Sequence, residues 1–424
     1  MRALLHVALQ SALNRRGTLV LVMLSIALAT ALLLSLERLR TDIRSSFGQS
    51  VSGTDLVVGA RTSSVQLMLY AVFRVGGASN NIRMDSLQAV AQHRAVAWVV
   101  PLSLGDSHRG RPVLGTTPEY FERFAYGDQQ KLVLAQGRAF AGTLDGLYEA
   151  VIGAEVAQSL GYAPGQRITL SHGNVEVLAQ EHADKPFTVV GVLARTGTPV
   201  DRTVHVSLQA IEAIHLDWAG GAPLPGMKIA PEFARKFDLQ PKQVTAALVG
   251  LKNRVAVFNV QRFVAGYEGE ALLAVLPGVA LDELWSVVGP GEQALMVISA
   301  LVAVVSLASL VAVVLAGLNE RRRELAVLRA VGAGPRHVLW LLALEGALVT
   351  LAGALLGALA AAAAVVLAGP WLQQQFGITL LPSAPTWQQW GLLGAVLVAG
   401  MLASLVPGWR AYRLSLADGL SPRT

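Results

Sequence analysis

The stretch that decides the fold is Asn319–Val338, which reads NERRRELAVLRAVGAGPRHV. It follows an uncharged apolar segment, Ala294–Gly317, and leads directly into a second apolar run. Five arginines lie in this short connection. Basic residues at the ends of apolar segments are typical of the cytoplasmic side of a membrane protein. The stretch therefore predicts two membrane spans joined by a cytoplasmic connection.

The composition extends this prediction to the whole chain. Of 424 residues, 53% are hydrophobic and only 15% are charged, whereas an ordinary soluble domain carries about 25% charged residues. The shortage is concentrated in four windows, each close to the roughly 20 residues that a helix needs to cross a bilayer: Thr18–Leu36, Ala294–Gly317, Val338–Ala368 and Trp390–Val406. We predict an α-helical membrane protein with four transmembrane helices, embedded in a lipid bilayer.

Charge placement predicts the orientation. Arginines flank the first span, the connection between spans two and three, and the end of span four, whereas the loop at 369–389 has no charged residue. Both termini should therefore be cytoplasmic, with residues 37–293 outside. Ala27-Leu28-Ala29 resembles a signal-peptide cleavage site, but the apolar run of the first span continues past it, which predicts an uncleaved anchor. The surplus of six positive charges is explained by topology, so no nucleic-acid partner is expected.

Amphipathic patterns predict what surrounds the spans. Residues 1–17 repeat apolar side chains at helical spacing and predict an interfacial helix. Apolar stripes also run along Leu36–Phe47 and Leu281–Val288, the second expected to end at Gly289-Pro290-Gly291. We predict two stalk helices, giving span one with its stalk at 18–50 and span two with its stalk at 271–317.

The external segment reads as an α/β domain over 51–270. The predicted strands are Asp55–Val58, Ala95–Leu102, Glu149–Ile152, Arg167–Leu170, Phe187–Leu193, Val204–Ser207 and Val255–Val260. The predicted helices are Ser86–Ala91, Glu155–Leu160, Leu208–His215 and Pro241–Leu251. The remaining divisions are a cytoplasmic connection at 318–337, span three at 338–368, an external loop at 369–389, span four at 390–408 and a cytoplasmic tail at 409–424.

Span three carries polar and small residues of interest. Gly346, Gly353 and Gly357 lie on one side of the predicted helix, where small residues let helix backbones approach. This face predicts helix packing, either within the chain or between two copies. Glu345 lies near the cytoplasmic end and is a functional candidate because carboxylates are costly in membranes. Hydrogen bonding to the neighbouring connection is the simpler explanation.

Catalytic and metal signals are sparse. The chain has no cysteine, no G-x-S-x-G and no H-E-x-x-H, and we expect no catalysis. Six of the eight histidines are external, and the closest grouping is His172, His182 and Asp184. These three lack the spacing of ligands on one helix face, so most of the histidines are expected to be ordinary surface residues.

The arginine-rich connection allows two interpretations on its residues alone. Glu320–Ala330 has an apolar strip at Leu325 and Leu328, and Gly332 with later Gly and Pro residues would end the helix. It predicts either a short crosswise helix that presents a rigid surface to a cytoplasmic partner, or arginines that only set topology and bind headgroups.

The arginine-rich connection and several other segments resemble those of a known family. The run from Asn319 to Ala333, followed by an apolar helix with Glu345, resembles the coupling segment of MacB/FtsX/LolC-type ABC transporter permeases. Further segments are similar to the landmarks of that family: Gly115–Phe121, Gly137–Phe140, Val151–Gly165, Phe187–Val192 and Pro407–Ala417. The last departs from the family at Leu416, where proline is usual. The likeness spans essentially the whole chain.

The resemblance implies a mechanism and partners. Such permeases dimerise, and each copy binds a cytoplasmic ATP-binding subunit that holds ATP and Mg²⁺. This chain contains no Gly-Lys dipeptide and hence no phosphate-binding loop, so the ATPase should be a separate polypeptide. The expected ATPase contact comprises Glu320, Arg321, Glu324, Leu325, Leu328, Arg329 and Gly332. The external domain should be MacB-like with two lobes, the upper at about 105–195, in the periplasm of a bacterial inner-membrane protein.

Two further implications concern function. One is export or release of a substrate at the outer face, driven by ATP through mechanotransmission, with a periplasmic adaptor or binding protein as a further partner. The alternative is an FtsX-like signal transmitter that activates a cell-wall hydrolase, although the external segment is larger than that branch implies. Asp55–Met68 also resembles a permease branch associated with metal homeostasis.

Overall fold

A computed structural model describes residues 16–77, 80–173, 180–219, 222–224, 229–320, 332–376 and 384–413. Nearly all of the predicted interfacial helix, most of the arginine-rich connection and the tail from residue 414 lie outside the described residues. The α-helices of the described part are α1 Arg16–Gln49, α2 Ser64–Ala71, α3 Met84–Ala91, α4 Glu119–Arg123, α5 Ala154–Leu160, α6 Leu208–His215, α7 Pro231–Ala234, α8 Val257–Ala265, α9 Pro277–Glu320, α10 Pro335–Phe376 and α11 Trp387–Arg413.

The strands are short except for β3. They are β1 Leu56–Ala60, β2 Ile82–Arg83, β3 Val96–His108, β4 Arg111–Thr116, β5 Ala125–Tyr126, β6 Gln130–Lys131, β7 Leu134–Gly137, β8 Glu149–Ile152, β9 Arg167–Ile168, β10 Ser171–His172, β11 Gln180–Glu181, β12 Phe187–Leu193, β13 Val204–Ser207, β14 Trp218–Ala219, β15 Ala222–Pro223, β16 Gln243–Val244, β17 Ala246–Leu251 and β18 Leu272–Val275. Single 3₁₀ turns occur at Leu144–Gly146, Pro199–Arg202 and Arg254–Ala256.

Four helices are long and apolar enough to cross a membrane. They occupy Arg16–Gln49, Pro277–Leu318, Pro335–Leu372 and Trp387–Ala411. These contain the four windows found in the sequence, so the prediction of four spans is confirmed. The chain divides into two compact units, one formed by Met1–Ile43 with Val288–Thr424 and the other by Arg44–Val287.

The membrane unit has an apolar core shared by its four helices. Ile26 and Leu33 of α1, Leu310 of α9, Leu342 of α10 and Val396 of α11 are buried together. Many other apolar side chains on these helices remain exposed. Exposed apolar surface on a membrane helix suits contact with lipid, so this unit is built as a membrane-embedded bundle.

The expected end of a stalk helix at Gly289-Pro290-Gly291 was wrong, because α9 continues through this segment without a break. Proline removes one backbone hydrogen bond but leaves the following turns able to form theirs. The sequence on both sides of Pro290 is apolar and favours a helix, and this preference outweighs the helix-breaking effect of the proline and its flanking glycines.

The second unit is built on one twelve-stranded sheet. Its hydrogen-bonded order is β18-β1-β17-β3-β4-β13-β8-β12-β7, with β9, β10 and β11 attached at the side. The β4–β13 and β8–β12 pairs are parallel and the other pairs are antiparallel. The sheet, its helices and the four spans confirm the predicted fold class, an α-helical membrane protein with an α/β domain between spans one and two.

Strand β3 joins the two parts of this sheet. Its first half pairs with β17, and its second half pairs with β4 and β10. The register shifts between Leu104 and Ser107, at Gly105 with φ 147°. Beyond it, the two-residue turn Arg109-Gly110 has positive φ at both residues, as a tight hairpin connection requires. The register of Ser107 and His108 against β4 is therefore shifted relative to that of Ser103 and Leu104.

Two predicted elements in the second unit were wrong. Pro241–Leu251 was predicted as a helix but forms β16 and β17, because Ala247 and Val249 pack on one side of the sheet and Ala246 and Leu248 on the other. A strand buried on both faces has no alternation to reveal it.

Val255–Val260 was predicted as a strand but lies in a 3₁₀ turn and in α8. Asn253 accepts a hydrogen bond from the Val255 amide at the start of the turn. Val260 and Val264 are fully buried one turn apart. Val264 lies beyond the predicted strand, and its four-residue spacing from Val260 is that of a helix. This spacing outweighs the preference of valine for strands.

Candidate functional site

The predicted ATPase contact lies almost entirely outside the described residues. Residues 321–331 are not described, and Glu320 closes α9 without a described side chain. Gly332 has φ 102°, a conformation that favours glycine, three residues before α10 begins. Arg321, Glu324, Leu325, Leu328 and Arg329 therefore stay a sequence prediction.

Glu345 is buried within the membrane unit, at 9% exposure. It lies on α10 between the fully buried Leu342 and the buried Gly346. A buried carboxylate at this depth is held by neighbouring groups, since an isolated charge there is costly.

The glycine face of span three packs within this chain. A Cβ at Gly353 would lie 2.9 Å from the Met23 carbonyl oxygen, and one at Gly357 would lie 2.5 Å from the Ala27 carbonyl oxygen. Both carbonyls belong to α1, so spans one and three approach each other at backbone distance. The sequence left open whether this glycine face packs within the chain or against a second copy. In the structure, Gly353 and Gly357 pack against α1 of the same chain.

Spans three and four meet in a similar way. A Cβ at Gly346 would overlap Ser404, and one at Gly400 would overlap Thr350. Hydroxyls also bond between or along the helices: Ser306 of α9 donates to the Ser25 carbonyl of α1 at 3.2 Å. Small residues and hydroxyls are the usual means of packing membrane helices.

Charged groups cluster on α1 and α9 beyond the apolar part of this unit. Arg40 contacts Glu292 at 3.1 Å and Glu37 at 3.4 Å, and Arg38 contacts Asp42 at 2.8 Å. Glu37 and Arg38 are each only 6% exposed. Gln389 of α11 adds a hydrogen bond to the Leu34 carbonyl at 3.3 Å. These contacts fix helices α1, α9 and α11 where the apolar segment ends.

A histidine cluster in the second unit is its most concentrated group of metal-ligating side chains among the described residues. Asp106 lies on β3, His172 on β10 and His215 at the last position of α6. Pairing of β10 with β3 places His172 directly opposite Asp106. The β4–β13 pair brings α6 to the same place, because α6 follows β13 immediately.

Three side-chain atoms converge in this cluster. His172 Nδ1 lies 3.1 Å from Asp106 Oδ1, His215 Nε2 lies 3.5 Å from the same oxygen, and the two ring nitrogens are 3.1 Å apart. Asp106 is buried at 5% exposure, whereas the His172 and His215 side chains are 39% and 25% exposed. The cluster is thus anchored in the domain and open to solvent.

The two histidines stabilise the ionised form of the Asp106 side chain. Burial acts to raise the pKa of Asp106, but hydrogen bonds from His172 and His215 outweigh it and hold this pKa at about 2. Burial acts to lower the pKa of His215, and its bonds to Asp106 and the Ile211 carbonyl outweigh it, so this pKa is raised. The carboxylate is ionised at neutral pH and faces two imidazoles.

His182 and Trp218 form one wall of the cluster. The His182 ring centroid lies 5.0 Å from that of His215 and 4.3 Å from that of Trp218. His182 is 1% exposed, and neither ring nitrogen has a hydrogen-bond partner within the described part of the chain. Burial first, and then the charge of His215, lower the pKa of His182 to about 4, so its imidazole is neutral.

The candidate ligands from the sequence are thus separated in the structure. His172 is a member of the cluster, His182 lies beside it, and Asp184 instead lies 3.6 Å from the Lys185 ammonium. Asp106 and His215 were missed. They are distant from His172 along the chain, and strand pairing, which local spacing does not reveal, brings them together.

Comparisons with known proteins agree with the architecture. The chain matches the family model of the MacB-like periplasmic core domain over residues 17–247 and that of the FtsX-like permease C-terminal region over residues 296–416. No curated protein sequence matches it. A multi-pass membrane protein with a MacB-like α/β domain between its first two spans is the class these features define. The chain belongs to the MacB/FtsX-type family of ABC transporter permeases.

Solved structures give a distant likeness. The periplasmic region of MacB from Actinobacillus actinomycetemcomitans is 11% identical with a TM-score of 0.34, covering 56% of this chain and 94% of that one. The extracellular domain of the noncanonic ABC-type transporter YknZ from Gram-positive bacteria is 14% identical with a TM-score of 0.30, covering 52% and 98%. At these scores the likeness adds nothing to the family matches.

Proposed function

We propose that this chain is the membrane subunit of an ABC transporter that works with a separate cytoplasmic ATPase. ATP and Mg²⁺ bind in that partner, and closure of two ATPase subunits moves the external domain, which exports or releases a substrate at the outer face of the inner membrane. The supporting observation is that both family matches occur in family order along one chain, residues 17–247 and then 296–416.

The residues suggest how force would be transmitted. The connection between α9 and α10 carries the coupling sequence, and α9 runs as one helix from that connection to Pro277 in the second unit. In this proposal α9 carries the movement, as a helix hydrogen-bonded along its length apart from the bond that Pro290 removes. In this proposal both termini are cytoplasmic and the second unit is periplasmic.

The experiment is a quantitative pull-down of tagged full-length protein from solubilised native membranes, with mass spectrometry of the bound proteins. The wild type should retain an ATPase with a phosphate-binding loop. Leu325→Asp and Leu328→Asp should each reduce that ATPase at least about tenfold, since a charge in an apolar interface is costly. Leu144→Asp is the matched control, because Leu144 is exposed in the second unit.

The outcomes separate the proposals. Retention of the ATPase by both variants would overturn the assigned contact, and absence of any ATPase from the wild-type sample would overturn the transporter proposal. A cell-wall hydrolase retained with the ATPase would instead favour the FtsX-like signal transmitter. A periplasmic adaptor or binding protein would support transport.

Metal homeostasis is the cellular context that we propose, on the resemblance of Asp55–Met68 to one permease branch. It is tested by growth of a strain lacking this gene across a range of zinc and copper concentrations. Growth equal to the parent strain at every concentration would contradict this context and leave the transporter proposal intact.

A further inference from the structure

We propose that Asp106, His172 and His215 bind a divalent transition-metal ion, and that Zn²⁺ is the ion their chemistry and spacing fit. The three ligand atoms all lie within 4.8 Å of one another. The site is a property of the external domain and does not depend on the proposed coupling to an ATPase.

The spacing of the ligand atoms is that of a tetrahedral site. With metal–ligand distances of about 2.0–2.1 Å, two ligand atoms at a tetrahedral angle lie about 3.3–3.4 Å apart. The three separations here are 3.1, 3.5 and 3.1 Å. These separations differ from the tetrahedral ones by only a few tenths of an ångström.

The ligand types select the class of metal. Two imidazole nitrogens and one carboxylate oxygen suit Zn²⁺ and its transition-metal neighbours, whereas Ca²⁺ and Mg²⁺ prefer oxygen ligands alone. Three protein ligands leave one tetrahedral position for water or another molecule. The partial exposure of His172 and His215 gives that position access to solvent.

The surroundings hold the ligands in place. His215 Nδ1 donates to the Ile211 carbonyl at 2.8 Å, which leaves Nε2 facing Asp106 and His172. Such an outer hydrogen bond is how proteins orient a metal-binding imidazole. His172 is fixed by its backbone pairing with Asp106.

The three atoms that would hold the ion already face one another. His172 Nδ1 lies 3.1 Å from Asp106 Oδ1, and His215 Nε2 lies 3.1 Å from the first atom and 3.5 Å from the second. A single cation at the centre contacts all three atoms at once. The unpartnered, buried His182 beside His215 supplies a further polar wall.

The test is equilibrium titration of Zn²⁺ into the full-length protein in nanodiscs, purified with a histidine-free tag and stripped with a chelator. We expect one saturable site per chain. His172→Asn and His215→Asn should each weaken it at least about tenfold, whereas His93→Asn, an external histidine outside the cluster, should leave it unchanged. Co²⁺ should give the intense visible absorption of a tetrahedral site in the wild type and lose it in the two cluster variants.

Folding of the variants is checked by hydrogen exchange of β3 and β13, and His172→Asn is the mildest change because His172 is the most exposed of the three ligands. In the wild type, Zn²⁺ should slow exchange at β10 and at the end of α6. Zn²⁺ binding of equal strength in all variants, or no saturable binding by the wild type, would overturn the proposal. Neither result would bear on ATPase retention by the permease.

Discussion

His205 is a buried imidazole in β13, with no described partner for Nε2 and with Nδ1 3.2 Å from the Val151 carbonyl. Its ring lies against Tyr120 and Phe121. Burial, followed by the nearby charge of Arg74, lowers the pKa of His205 to about 3. The folded domain thus holds this side chain neutral throughout the ordinary pH range.

This residue predicts an acid dependence of stability. The unfolded imidazole titrates near 6.5 and the folded one near 3, so below pH 6.5 the unfolded state binds a proton that the folded state does not. The free energy of unfolding is therefore highest, as far as His205 is concerned, above pH 6.5, and it decreases as the pH falls towards 3. The free energy of unfolding of the wild type should fall when the pH is lowered from 7 to 5. In His205→Gln this fall should be smaller by about 2 kcal/mol, because the titrating imidazole is absent.

Urea titrations of the full chain at both pH values, followed by hydrogen exchange of the β13 amides, measure that difference. The same pH dependence in wild type and His205→Gln would show that the buried imidazole does not resist protonation.

Close packing explains why glycine occurs in the segments that resemble the family. A Cβ at Gly115 would lie 2.5 Å from Ile211 Cγ1, and Gly137 pairs with Gly191 across β7 and β12. Glycines required by close approach are visible in a sequence as motifs. Asp106 and His215 have no such motif, because their role depends only on which strands pair, and the sequence therefore could not predict the cluster.

At the scale of elements, the four spans were predictable because about twenty apolar residues have few other uses. The elements that were predicted wrongly were decided by context. β17 is a strand because β1 and β3 pair with its two edges and apolar side chains pack on both its faces. Helix α9 passes Pro290 because the flanking turns remain bonded. Neither cause is contained in the segment itself.

The contact between α1 and α10 makes a prediction at this scale. Gly357→Leu should force a side chain into the Ala27 carbonyl and Thr30, and separate the two helices. Overpacking of this kind costs about 1–3 kcal/mol, so the thermal unfolding midpoint in detergent should fall.

Gly394→Leu on α11 is the matched control, because a Cβ there meets nothing within 4 Å. It should retain the wild-type midpoint. An equal fall in both variants would mean that any leucine in a span is harmful, and would remove the special role of the contact between α1 and α10.

For the whole molecule, family membership leads us to expect two copies of the chain. Because Gly353 and Gly357 already pack on α1, the second copy should meet other apolar side chains, such as those exposed along α1 and α9. Native mass spectrometry of the complex released from nanodiscs should show an even number of permease chains. A dominant species with one permease chain would contradict this expectation.

The pairing of β3 with β10 has a consequence for comparative genomics. Asp106 and His172 are 66 residues apart yet meet through strand register, so insertions in the segment between them can accumulate without moving either ligand. One residue added inside β3 after Gly105 would instead turn Asp106 to the opposite face of the sheet. A search for the same site in other genomes should therefore follow strand alignment around that glycine, because a pattern of fixed spacing would miss true examples and accept false ones.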